Sequence, residues 1–261
     1  MTKLMGVVNV TPDSFSDGGL YLDPEAAVAH GRELAAAGAE ILDIGGESTR
    51  PGAEPVAAEE EMERVVPVIE GLRRLDCEIS VDTSKAAVAA AALDAGATIV
   101  NDVTALRGDP GMAPLCADRG ATVVLMHMLG EPRTMQEGPR YGDVVAEVRA
   151  FLAERLAAAV AAGIAEERVW LDPGIGFGKT AAHNMELLRR LGELRGLGRP
   201  LVIGTSRKSF IGKLDGSAAG ERLGGTIASS VLAAAEGAEV LRVHDVAEMR
   251  QALTVAAAIL G

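Results

Sequence analysis

Residues 78–101 read EISVDTSKAAVAAAALDAGATIVN, and this stretch carries the repeating unit of the whole chain. EISVD (78–82) is a short apolar run closed by an acid, an Ala-rich helical stretch fills 85–95, and TIVN (98–101) is a second apolar run closed by Asn101. Two strand-like runs joined by a helix-length segment predict a βαβ unit with parallel strands. The alternation extends in both directions. Strand-like runs lie near 4–10, 40–45, 122–127, 168–172, 201–205 and 239–244; helical stretches lie near 24–37, 58–75, 110–119, 143–162, 182–195, 217–236 and 246–259. Eight strands, each followed by a helix, is the arithmetic of a (β/α)8 TIM barrel, and 261 residues sits close to the roughly 250 typical of it. A doubly wound open sheet shares the alternation and is the alternative. No linker or composition break divides the chain, so residues 1–261 read as a single domain.

Composition narrows the partners. The formal charge of −12 repels nucleic acid and anionic membrane at long range. Seven aromatics (four Phe, two Tyr, one Trp) make a base-stacking platform a poor fit. No apolar run approaches the roughly 18 residues of a spanning helix, and no signal-peptide core precedes Asn9. Cys77 and Cys116 form no disulfide framework, which suits a reducing, cytoplasmic compartment. The expected partners are therefore small molecules.

Asn9, Asp82, Asn101, His127, Asp172 and His244 each close an apolar run at its C-terminal end. In a closed barrel they would share one mouth, where such folds build their active sites. Helix capping would account for roughly two or three of them. Two connections, Thr11–Leu22 and Gly45–Pro55, exceed the usual βα length of about 2–6 residues and contain Phe15 and Arg50, which no turn requires.

Arg242 and His244 stand two apart on a strand-like run, so period-two alternation aims both to one side as a fork for a phosphate or diphosphate. Ser206-Arg207-Lys208-Ser209 ends the preceding run and opens a helix, placing the Ser209 hydroxyl and N–H as a seat for a carboxylate. Asp82, Asn101 and Asp172 are expected opposite this cationic sector. A carboxylate pairs with an amino group beside a ring N–H, and Asn101 both donates and accepts, so the set suits a nitrogen heterocycle carrying an anionic leaving group. The Gly174–Lys179 stretch fails both nucleotide-loop spacings, because a Walker loop needs Gly at Pro173 and a dinucleotide fingerprint needs Gly at Lys179. No paired Cys/His spacing predicts a structural zinc.

The stretches Val8–Gly19 (VNVTPDSFSDGG) and Gly45–Gly52 (GGESTRPG) closely resemble the first two signatures of the dihydropteroate synthase family. Ser80–Lys85, Asn101-Asp102, Gly130 with Thr134–Gln136, Leu171–Lys179, Ser206–Phe210 and Arg242–Val246 continue the resemblance in the family's order, over essentially the whole chain. The resemblance implies a (β/α)8 barrel that condenses 6-hydroxymethyl-7,8-dihydropterin diphosphate with 4-aminobenzoate, releasing diphosphate and forming 7,8-dihydropteroate for folate biosynthesis. It implies that Asp172, Asn101 and Lys208 read the pterin edge, with Asp82 close to the ring and Met126 lining the slot. Asn9 corresponds to a magnesium-associated residue, with Asp17 as helper, so Mg2+ is the expected cofactor. Arg242 and His244 match the diphosphate site. Thr49, Arg50, Phe15 and Pro51 would enclose the aminobenzoate, whose carboxylate meets Ser209, and Phe177 borders that pocket. Sulfonamide sensitivity and a homodimer through the last helices are part of the same expectation. A non-catalytic pterin-binding paralogue and a methyltetrahydrofolate-binding methyltransferase domain are the alternatives; the latter needs neither the Arg242–His244 fork nor the two long loops.

Overall fold

A computed structural model describes residues 2–11, 23–49, 52–130 and 134–261. Among these the strands are β1 (Lys3–Asn9), β2 (Ile41–Gly45), β3 (Glu78–Asp82), β4 (Ile99–Asp102), β5 (Thr122–Met126), β6 (Val169–Asp172), β7 (Val202–Ile203) and β8 (Val240–Val243). Between and after them run α1 (Pro24–Ala36), α2 (Ala58–Leu72), α3 (Ala86–Ala95), α4 (Met112–Arg119), α5 (Val144–Ala161), α6 (Ala181–Arg189), α7 (Gly192–Arg195), α8 (Ser209–Asp215), α9 (Leu223–Ala235) and α10 (Val246–Leu260).

All strand pairings are parallel, in the order β6-β5-β4-β3-β2-β1-β8-β7. A parallel bridge between Leu171 and Leu201, with the Leu171 N–H donating to the Pro200 carbonyl at 2.9 Å, joins the two end strands. That bridge closes the sheet into a (β/α)8 barrel and removes the open-sheet alternative.

Closure sorts each strand by its period of two. Leu42, Ile44, Val81, Val123, Leu125, Leu171, Leu241 and Val243 face outward onto the helices, in one continuous core with Val65, Val68 and Ile69 of α2 and Leu152 of α5. Met5, Ile41, Ile99, Val124, Val202 and Val240 plug the barrel from inside, against Trp170. Two residues further along the same strands stand Asp43, Asn101, Met126, Asp172, Gly204 and Arg242. The lumen therefore changes from apolar to ionic within one layer, moving toward the C-terminal ends of the strands.

Capping explains less than expected. The side-chain caps found are Asp23 on α1, Asp143 on α5 and Thr180 on α6, and none of the six strand-end residues caps a helix. The segment expected as one helix over 182–195 splits into α6 and α7, and the helix expected over 217–236 begins at Leu223. α8, opened at Ser209, stops where Gly216 turns at φ +81°. β7 spans only two residues of the predicted 201–205, because pairing ends before the Ser206-Arg207 turn, where Arg207 takes φ +56°. His244 lies one residue beyond β8, so it shares the rim with Arg242 but not the strand.

Candidate active site

Arg242 rises from β8 into the lumen and is held there by two acids. Its Nε donates to Asp43 Oδ2 at 2.6 Å and its Nη2 to Asp82 Oδ2 at 2.8 Å. Asn101 donates from Nδ2 to the same Asp43 oxygen at 3.2 Å. The acidic and cationic groups were expected on opposite flanks; the structure brings Arg242 and Asp82 into direct contact, because β3 and β8 both point these side chains into a narrow lumen. Asp43 is the functional residue that sequence reading missed. It sits inside the otherwise apolar run EILDIG, and a buried acid between Leu42 and Ile44 is the signal that was available. Asp43 is fully buried, and its Oδ1 has no hydrogen-bond partner. Burial pushes the Asp82 carboxyl up to about 7; Arg242 opposes this, while Asp43, Glu61 and Asp102 add to it.

A second cluster gathers around β6. Asp172 Oδ1 accepts from the Gly174 N–H at 2.6 Å. Burial raises its pKa, while Lys208, the Gly174 bond, Lys179 and Arg242 pull it down. Lys208 donates to the Ile175 carbonyl, and its Nζ lies 4.6 Å from the centroid of the Phe177 ring. Burial pushes Lys208 down to about 8, with Arg242 acting in the same direction and Asp172 against it. Gly204 separates the two cations without filling the gap: a Cβ there would lie 3.7 Å from Lys208 Nζ and 3.8 Å from Arg242 Cβ. Met126 packs with Val103, Met128, Met135 and Phe177 into an apolar wall beside this cluster, the kind of surface a flat ring uses.

The rim segment after β6 is tied at five successive carbonyls. Lys179 Nζ donates to Gly174 O at 3.0 Å and Phe177 O at 2.9 Å; Lys208 takes Ile175 O. Gln136 takes Gly176 O at 2.6 Å and Tyr141 takes Gly178 O at 2.8 Å. Lys179 itself is buried, with His127 Nδ1 2.8 Å away. Sequence reading placed His127 at a strand end and gave Lys179 no role; together they anchor the wall that carries Phe177.

His244 Nδ1 lies 2.9 Å from Ser206 Oγ, which also accepts from the His244 N–H at 3.2 Å. Arg207, between Ser206 and Lys208, turns away to pair with Asp245 at 2.5 Å. Lys208 stands at the N-cap position of α8 without a side-chain cap bond, and Ser209 is the first residue of that helix. Thr49 stands half-buried on the second loop, and Asn9 ends β1 beside Gly45. Phe15, Asp17, Arg50 and Pro51, also expected in the site, lie outside the described residues.

Among the described residues no group of three or more His, Cys, Asp or Glu could hold a metal ion. Magnesium does not demand such a cage, since it keeps waters and shares substrate phosphates with one or two protein oxygens. A Cβ built on Gly45 would lie 3.9 Å from both Asn9 Oδ1 and Asp82 Oδ2, so hard oxygen donors flank a glycine that leaves room between them. Of these two oxygens Asp82 Oδ2 already accepts from Arg242 Nη2, which leaves Asn9 Oδ1 as the donor that a cation arriving with a diphosphate would meet here.

The family described as "Pterin binding enzyme" matches residues 5–244. The dihydropteroate synthase of Escherichia coli K12 is 50% identical over 259 residues, covering 99% of this chain and 92% of that enzyme. The crystal structure of the Yersinia pestis dihydropteroate synthase with a sulfonamide drug superposes with a TM-score of 0.97 at 46% identity, covering 99% of this chain and 94% of that one. The Xanthomonas albilineans dihydropteroate synthase in complex with 7,8-dihydropteroate superposes with a TM-score of 0.89 at 50% identity, covering 100% and 94%.

Proposed function

The chain belongs to the dihydropteroate synthase family of pterin-binding enzymes, and from that premise we propose how its barrel mouth joins a dihydropterin diphosphate to 4-aminobenzoate in folate biosynthesis. The observation that carries the reading is the Asp172, Lys208, Gly204, Arg242, Asp82 sequence around one lumen, with cations of adjacent strands facing a common gap.

Asp172, Asn101 and Lys208 hold the polar edge of the pterin, with Met126 against its face. Arg242 and His244 take the diphosphate. Asn9 and Asp17 would hold magnesium, which would supply charge neutralisation at the leaving group. Departure of diphosphate breaks the C–O bond at the exocyclic carbon and leaves a resonance-stabilised dihydropterin cation. Arg242 compensates charge growing on the leaving oxygen, and ionised Asp82 compensates charge growing on the ring. The neutral arylamine of 4-aminobenzoate then attacks that carbon, the new C–N bond forms with loss of one amine proton to water, and no protein nucleophile is needed. Its carboxylate meets Ser209, and Phe15, Thr49, Arg50, Pro51 and Phe177 enclose its ring, a pocket that a sulfonamide would share.

Asp43 and Asp82 each take one N–H of the Arg242 guanidinium, from Nε and Nη2, and so orient its remaining N–H groups for the diphosphate. The purified protein with both substrates is expected to release diphosphate and form 7,8-dihydropteroate only when magnesium and 4-aminobenzoate are both present; binding of pterin diphosphate without release overturns the reading in favour of a non-catalytic paralogue.

We place the protein in the cytoplasm, in keeping with its unpaired thiols and with the finding that no described helix is long and apolar enough to cross a membrane. The exposed Leu232, Val255, Ile259 and Leu260 line up on α9 and α10 and support a homodimer through that face, which sedimentation measures.

A further inference from the structure

The loop that follows β2 is clamped at its stem by a half-buried ionic tie that ends on the buried Glu61. Lys85, at the start of α3, places Nζ 2.5 Å from Glu47 Oε2 and 2.5 Å from Glu61 Oε2. Glu47 Oε1 accepts from the Val56 N–H at 3.0 Å, so one carboxylate joins the chain entering the loop to the chain leaving it. Arg64 of α2 donates to the Gly46 carbonyl at 2.7 Å. Gly46 is pressed so closely on α2 that a Cβ there would meet Val65 Cγ1 at 2.8 Å and Glu61 Cγ at 3.0 Å.

Glu61 is fully buried, and its Oε1 has no hydrogen-bond partner. A buried ion pair is a weak source of stability, and apolar side chains of similar volume usually serve a fold as well. What the tie supplies is direction. It fixes Glu47, two residues before Thr49, relative to Lys85, three residues after Asp82.

We propose that Lys85, acting through Glu47 and anchored on Glu61, is a positioning residue for 4-aminobenzoate, setting the placement of the second loop against the β3 rim. This rests on the reading of that loop as the aminobenzoate side of the mouth. Lys85 touches no substrate. Its removal changes the binding of one substrate and not the other, because the pterin is held by β4, β6 and the Lys208 turn.

The test compares steady-state kinetics of the wild type, Lys85→Met, Glu47→Gln and the double variant Lys85→Met/Glu61→Leu, which replaces the buried acid and its half-buried lysine by apolar groups. The expected result is a KM for 4-aminobenzoate raised on the order of tenfold to a hundredfold in both lysine variants. The KM for the pterin diphosphate should stay within about twofold, and the melting temperature of the double variant within about 3 °C of the wild type. Glu47→Gln keeps the side-chain shape, leaves Glu61 paired, and should show a smaller rise of the same selectivity even if the lysine variants fail to fold. An unchanged aminobenzoate KM in the folded double variant, or an equal rise in both KM values, overturns the proposal. Failure of the wild type itself to release diphosphate with 4-aminobenzoate overturns the functional reading instead.

Discussion

Arg242 and Asp43 stand 199 positions apart in the chain and 2.6 Å apart in the barrel. The closure of β8 against β1, and of β1 against β2, makes that contact possible. It leaves Arg242 with two charge partners of different kinds: Asp43, sealed from solvent, and Asp82, at the floor of the mouth.

Removing the guanidinium therefore has two separable effects. Arg242→Ala strands Asp43 as an uncompensated buried charge and should cost about 3–5 kcal/mol of stability, measured by chemical denaturation. Adding Asp43→Asn should recover most of that loss. In the recovered double variant, calorimetry should show affinity for the pterin diphosphate falling much more than affinity for the free pterin alcohol. Equal losses for the two ligands would remove Arg242 from the leaving-group site.

Asp82 sets a pH limit. Burial pushes its carboxyl up to about 7, so the ionised form that the proposed mechanism needs is lost as pH falls through that value. The kcat/KM of the wild type should decline below about pH 7. Asp82→Asn should keep the fold, slow turnover at saturating substrates on the order of a hundredfold, and lack this acid limb. Wild-type turnover in the variant would sink the role.

Much of this architecture was legible before any coordinates. Period-two apolar runs closed by Asp, Asn or His at one end place Asp82, Asn101, Asp172 and Arg242 on one rim of a (β/α)8 barrel, and the structure puts them there. Asp43 was visible as an acid inside the apolar run EILDIG, but which face it takes is decided only when the barrel closes. Lys179 and Lys85 were hidden for a different reason: Lys179 binds carbonyls of its own turn together with the distant His127, Lys85 binds the distant carboxylates of Glu47 and Glu61, and no helix or strand period encodes such contacts. The helix expected over 182–195 breaks at Arg190-Leu191, and the one expected over 217–236 opens with a 3-10 turn at Ala219–Glu221, within stretches of good helix formers.

Gly174 is a backbone requirement of the pterin site. It takes φ +67°, and a Cβ there would lie 1.9 Å from the His127 carbonyl oxygen. Gly174→Ala should lose about 2–5 kcal/mol of stability and weaken pterin binding, because the Gly174 N–H orients Asp172. Gly52→Ala, at φ +81° with open surroundings, should cost only about 1–2 kcal/mol in the same denaturation experiment.

Lys179 makes a stability prediction with a definite sign. Burial pushes its pKa from 10.5 down to about 7, with Lys208 adding to the effect and Asp172 opposing it. Between those two values the unfolded chain holds the extra proton, so stability from this group rises with pH across that window. The stability difference, wild type minus Lys179→Met, should therefore grow between about pH 7 and pH 10. A difference independent of pH would show that Lys179 stays charged throughout.

The boundary between the apolar plug of Met5, Ile41, Ile99, Val124, Val202 and Val240 and the ionic layer directly above it divides the barrel's labour. Cohesion resides in the shell outside the strands and in that single stopper, whereas recognition occupies only the upper storey of the same staves. Heat tolerance and ligand preference can consequently drift along different sets of codons, with Asp43 as the hinge where a change for one is felt by the other.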